Sequence, residues 1–187
     1  MGLYKNKYRT ESIRLKQWDY SSNGYYFVTI CTKNQECFFG NVIDSKVVLT
    51  SIGEIARQYW QAIPEHFQEV KLDEFIVVPN HLHGIVIISN VETCHGMSLQ
   101  KPSNRNIFTK PLSGPLSTVI NQYKCTVTRE CRKIGYSDFS WQSRFYEHII
   151  RNEKSLQKIR QYIMNNPVKW ELDEYHPDRL NVRKRKG

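Results

Sequence analysis

A chain of 187 residues, 40% hydrophobic and 12% aromatic, is long enough to bury one core without metal or disulfide staples and too aromatic for a disordered linker. Five cysteines, odd in number and with no Cys-x-x-Cys pair, argue against a disulfide framework or zinc ribbon and for a reducing compartment. The net charge of +9 is uneven, with basic excess in residues 1–35, 93–118 and the last ten and acidic excess in 36–92, a pattern that suits a polyanion touched by both ends and the middle.

Charge kept for solubility alone accounts for the same total. No apolar run approaches the roughly 18 residues of a membrane span. The opening Met1-Gly2-Leu3-Tyr4-Lys5-Asn6-Lys7 lacks the apolar core of a secretory signal. A single domain over residues 1–187 is expected, soluble and cytoplasmic, with a basic arm over about 1–20 and a basic tail over about 178–187.

After the arm, Tyr25-Tyr26-Phe27-Val28-Thr29-Ile30-Cys31-Thr32 is aromatic and β-branched, which predicts a strand. Val42 to Thr50 reads as a second strand, with turn signals at Gly40-Asn41 and Asp44-Ser45. Ser51-x-x-Glu54 has the form of a capping box, and Ile52, Ile55, Ala56, Tyr59, Trp60 and Ile63 follow at helical spacing until Pro64 closes the stripe. Leu72–Val78 and His81–Ile88 read as an antiparallel hairpin of central strands, apolar on both faces. Residues 90–115 form a polar loop of a length that is usually functional or disordered. Leu116, Val119, Ile120, Tyr123, Val127 and Cys131 predict a second helix, and residues 140–150 a further strand or extended segment. A third helix starts near Asn152, a good N-cap, and must end by Pro167. Strands and helices interleaved with hairpins imply an α+β fold, an antiparallel sheet with packed helices.

The chemistry concentrates in Pro79-Asn80-His81-Leu82-His83-Gly84. Residues two apart on a strand point the same way, so His81 and His83 present both imidazoles on one face, together with Ile85 and Ile87. Spacing alone does not separate a metal-binding pair from two core imidazoles hydrogen-bonded to backbone. Two histidines are too few for a closed structural zinc site; they suit a catalytic cation with open positions. In the last helix Leu156, Ile159 and Ile163 form the buried stripe, with Tyr162 and Asn166 one turn apart on its shoulder. A core-edge tyrosine and a helix C-cap explain those two residues just as simply.

The segment Leu72-Asp73-Glu74-Phe75 through His81-Leu82-His83-Gly84-Ile85 resembles the HUH signature (His, bulky apolar residue, His) of single-tyrosine transposases. Trp141-Gln142-Ser143-Arg144-Phe145-Tyr146-Glu147-His148 through Tyr162-Ile163-Met164-Asn165-Asn166-Pro167 resembles the REP-associated tyrosine transposase branch, as does Asp19-Tyr20 followed by Tyr25 to Thr32. The resemblance implies a ferredoxin/RRM-like HUH transposase fold. It implies that His81 and His83 bind a divalent ion, Mg or Mn, that Asn166 completes the metal site, and that Tyr162 is the nucleophile. Tyr146 has no helical ligand partner and is not expected to serve. The activity implied is DNA nicking and strand transfer on single-stranded or hairpin-forming palindromic DNA through a covalent 5′-phosphotyrosine, in a nucleoid-associated protein.

Lys124, Arg144, Arg151, Lys184, Arg185 and Lys186 are the expected DNA-binding cations, with Lys5, Lys7, Arg9, Arg14, Lys16, Lys101, Arg105, Lys110 and Arg183 also placed to track a backbone. Rival readings are a domesticated, non-catalytic nucleic-acid binder on the same scaffold and a phosphodiesterase that makes no covalent intermediate. Relaxases and replication initiators share the histidine motif but carry added domains. Monomer and homodimer stay open, as does whether Tyr162 serves its own chain's histidines.

Overall fold

The computed structural model describes residues 3–4, 8–9, 23–89 and 115–178. Of the loop expected over 90–115, residues 90–114 lie outside the described residues, as do the tail cations Lys184, Arg185 and Lys186, and Pro115 already opens a helix. In the arm, two short strands, β1 (Leu3–Tyr4) and β2 (Tyr8–Arg9), pair antiparallel.

From there the chain runs through β3 (Gly24–Cys31), the hairpin β4 (Gly40–Ile43) and β5 (Lys46–Leu49), α1 (Ser51–Gln61), the one-turn α2 (Ile63–His66), β6 (Val70–Val78) and β7 (His81–Ile88). Then come α3 (Pro115–Lys133), β8 (Tyr146–Ile150) and α4 (Glu153–Asn165). The central sheet is antiparallel with strand order β6-β7-β3-β8, so the expected α+β class is the observed one.

Strand alternation gives the sheet two different faces. One carries Tyr26, Val28, Ile30, Leu82, Val86 and Ile88, buried against Ile52, Ala56 and Trp60 of α1 and Leu116, Val119, Ile120, Tyr123 and Val127 of α3. The other carries Phe27, Ile85 and Ile150, which pack with Leu156 and Ile163 of α4. Gly84 faces the first: a Cβ there would lie 2.4 Å from the buried Trp60 ring, so only hydrogen lets β7 and α1 approach.

Four local expectations change. Val42 to Thr50 is two strands, because Asp44 (φ 50°) and Ser45 (φ 60°) take the left-handed region that a tight hairpin turn demands. The cap of α1 is Thr50, whose hydroxyl accepts from Gly53 N at 3.2 Å, with Ser51 already helical. Pro64 does not stop a helix; it sits in the first turn of α2, where its missing N–H costs nothing. β6 is an edge strand, with a register irregularity between Leu72 and Phe75, and only β7 of that hairpin is central.

Candidate active site

β7 lies between β6 and β3, and its first residues set the site. The ladder pairs His81 with Cys31 and His83 with Thr29, placing both imidazoles on the α4 face, as the two-residue period demands. The ring nitrogens His81 Nε2 and His83 Nε2 are 2.8 Å apart. Tyr162 Oη, from α4, is 3.1 Å from the same His83 Nε2.

Neighbours fix how these rings carry their protons. Asn80 donates through Nδ2 to Gln35 O (3.1 Å) and Tyr175 O (2.7 Å), so its Oδ1 turns to His81 Nδ1 at 2.8 Å. His81 Nδ1 therefore carries the hydrogen and its Nε2 presents a lone pair. His83 Nδ1 meets the Thr29 hydroxyl at 2.9 Å. A hydroxyl donates or accepts, so His83 can keep its proton on Nε2, bridging to His81, or move it to Nδ1. In the second form both Nε2 lone pairs address one point, the arrangement that a shared cation needs.

Asp173, just beyond a 3-10 turn at Trp170–Leu172, brings a carboxylate to this point. One donor atom from each of His81, His83 and Asp173 lies within 4.8 Å of the others, and all three residues are buried. Asp173 Oδ2 accepts from Asn166 Nδ2 and Oδ1 from Tyr175 N, each at 2.8 Å. Asn166, the C-cap of α4, leaves its buried Oδ1 without a partner among the described residues. Two imidazoles, one carboxylate and an orphaned amide oxygen can hold a divalent ion. Sequence reasoning missed Asp173, because it lies in irregular chain and only the tertiary fold brings it back to β7.

Burial pushes the His81 imidazole down to about 3. His83 is also held well below its ordinary value, first by burial and then by the neighbouring His81. The Tyr162 phenol is raised, first by burial and then by the Asp173 and Glu174 carboxylates; a hydrogen bond with Asn166 works the other way. Cys31, beside His81, is pushed up to about 12 by burial and by Asp173, which leaves an unreactive thiol.

Phe27 stacks on His83 (centroids 5.3 Å apart), while Tyr175 (4.8 Å) and Trp170 (5.9 Å) cover His81. His81 and His83 are shielded, but Tyr162 is 42% exposed and opens onto a cavity of about 440 Å³ walled also by Asn166, Lys169, Asp173 and Glu174. Tyr146 is not part of this group: it lies on β8, edge-on to Phe27 at 6.4 Å. α4 is tied to the sheet by Arg160, whose Nε and Nη2 grip Asp73 at 2.6–3.2 Å. That bond holds the Asp73 carboxyl below its usual value. Of the expected DNA-binding cations, Arg144 and Arg151 are exposed and Lys124 is half-buried, its Nζ donating to Gln142 O.

Comparison with known proteins gives this geometry relatives. No protein-family model matches the chain. An uncharacterized protein of Haemophilus influenzae is 42% identical over 168 residues, covering 89% of this chain and 93% of the relative. The chain belongs to that protein's family. A second Haemophilus influenzae protein, provisionally named a REP-associated tyrosine transposase, is 25% identical over 177 residues, 86% of this chain and 84% of the relative. A solved REP-associated tyrosine transposase bound to a REP hairpin matches with a TM-score of 0.53 at 22% identity, over 86% of this chain and 74% of that one. This chain thus shares the α+β fold of that transposase. No helix among the described residues is long and apolar enough to cross a membrane.

Proposed function

We propose that this chain is a metal-dependent transposase of the REP-associated tyrosine type, which nicks single-stranded or hairpin DNA and transfers the strand through Tyr162. One observation carries the reading: within one chain, an accessible phenol, two imidazole Nε2 atoms and a carboxylate converge on a single point. The solved relative's REP hairpin supports DNA as the substrate.

The donor set fits a divalent ion, and the imidazoles favour Mn over Mg. Bound there, the ion would supply positive charge to the non-bridging oxygens of a phosphodiester. The chain's own residues do the rest. Tyr162 Oη forms the new bond to phosphorus and the bond to the 3′ oxygen breaks, leaving a 5′-phosphotyrosine and a free 3′-hydroxyl. With both Nε2 lone pairs turned to the ion, the phenol proton passes to the Asp173 carboxylate beside it, and a proton is returned to the departing 3′ oxygen. Asn166 holds Asp173 in place, and Thr29 and Asn80 orient the imidazoles. Because the phosphotyrosine conserves the bond, attack by a 3′-hydroxyl reseals or transfers the strand at the same site.

Hairpin DNA labelled at its 3′ end, incubated with the protein and Mn²⁺, should give a covalent species on a denaturing gel. In Tyr162→Phe that species should fall to background. A wild type that binds DNA and never forms an adduct would instead identify a non-catalytic binder, and an adduct that survives Tyr162→Phe would remove Tyr162 from the mechanism.

A further inference from the structure

Away from the histidines, on the sheet face covered by α1 and α3, an open groove of about 810 Å³ runs between α3 and the segment Trp141-Gln142-Ser143. Lys124, Arg129, Arg132 and Lys133 line its α3 wall. At 100° per residue these four fall on one side of the helix, along about 13 Å of its axis. Glu130 pairs with Arg129 (3.1 Å) and Lys133 (2.9 Å), but both cations are more than 60% exposed, so these pairs are weak and readily exchanged. Arg132 is exposed and has no ion-pair partner among the described residues.

We infer that this groove is a second DNA contact, which holds the sugar-phosphate backbone of a duplex segment such as a hairpin stem. Its chemistry selects phosphates over bases. Among the described residues the one large ring on its wall, Trp141, is already packed against Phe39, Tyr123 and Phe139, and its Nε1 donates to Lys124 O. Held on these sides, that ring offers little surface to stack an unpaired base, which single-strand sites rely on. Cations with hydroxyl and amide groups between them are the equipment of backbone contacts, which position DNA without reading its sequence. Gln142 N donates to Cys31 O at 2.9 Å, and Cys31 is the ladder partner of His81, so the groove reaches the sheet end where the histidine site begins. A stem held here would present its flanking strand at that end.

The inference rests on the DNA reading for the nature of the polyanion, and the test separates the two. Binding of fluorescent hairpin DNA to the full chain is followed by anisotropy over a salt series, for the wild type, Arg129→Glu/Arg132→Glu, and Lys46→Glu/Lys71→Glu, which changes net charge equally on exposed β5 and β6 positions. The groove variant should bind at least about tenfold more weakly near 0.1 M salt, and its log Kd against log salt slope should fall by about 2. The control should bind like the wild type. Cys125, exposed on the groove wall, should be shielded from alkylation by bound hairpin in the wild type while exposed Cys37 is not, a readout independent of any variant's folding. Wild-type protein that ignores DNA would overturn both readings. An unaffected groove variant, an equally weakened control, an unshielded Cys125, or an unpaired strand bound as tightly as the hairpin would overturn the groove alone.

Discussion

Thr29 and Asn80 govern the histidine pair from outside it: one leaves His83 free to choose its tautomer, the other fixes that of His81. Burial supplies the remaining control. His81 is held at about 3 against an ordinary 6.5, so between these pH values the unfolded chain binds a proton that the folded chain refuses. The stability this contributes is complete above about 6.5 and is lost as pH falls towards 3. In chelator-treated protein the urea midpoint should therefore drop from pH 7 to 4, and drop less in His81→Asn. An identical slope in the variant would show that this imidazole does not titrate as its burial demands. The residue types were partly legible in the sequence. A His-x-His on a β-branched run and a tyrosine on a helix shoulder can be read from periodicity. Asp173 cannot, because its place depends on how the chain turns after Pro167, and no spacing rule reaches across irregular structure.

α4 is the element on which the site depends, since it carries Tyr162 and Asn166 to the histidine face. Its own stripe is short, and Arg160 adds a bidentate grip on Asp73, at the irregularity in β6, with side chains 29% and 13% exposed. Asp73→Asn should destabilise the protein by roughly 1–2 kcal/mol, allowing for partial exposure. It should also slow adduct formation, because the helix that presents the phenol is less firmly seated. The exchange Asp73→Arg/Arg160→Asp should recover part of both losses, measured by thermal melting and by adduct rate. A melting loss without any change in adduct rate would make the pair purely structural. At this scale the hydrophobic pattern predicted every large element, and it erred where turn chemistry overrides pattern. Asp44-Ser45 is a turn signal, yet β-branched residues on both sides mask the break it makes. Pro64 looks like a stop because a proline that ends one helix and a proline that opens the next are alike in sequence.

The whole molecule divides its labour between the two faces of one sheet. The α1 and α3 face buries the large core and bears the basic groove on its outer side; the α4 face bears the candidate site. The histidines and tyrosine meet within a single chain, Tyr162 Oη lying 3.1 Å from His83 Nε2. Among the described residues two tyrosines flank the imidazoles, Tyr162 and Tyr175, and of these only the first both touches His83 Nε2 and opens onto the cavity. Digesting the covalent DNA adduct with protease and mapping the modified peptide by mass spectrometry is therefore the most direct test. The nucleotide should be found on Tyr162. Its recovery on Tyr175, Tyr146 or any other residue would contradict the account.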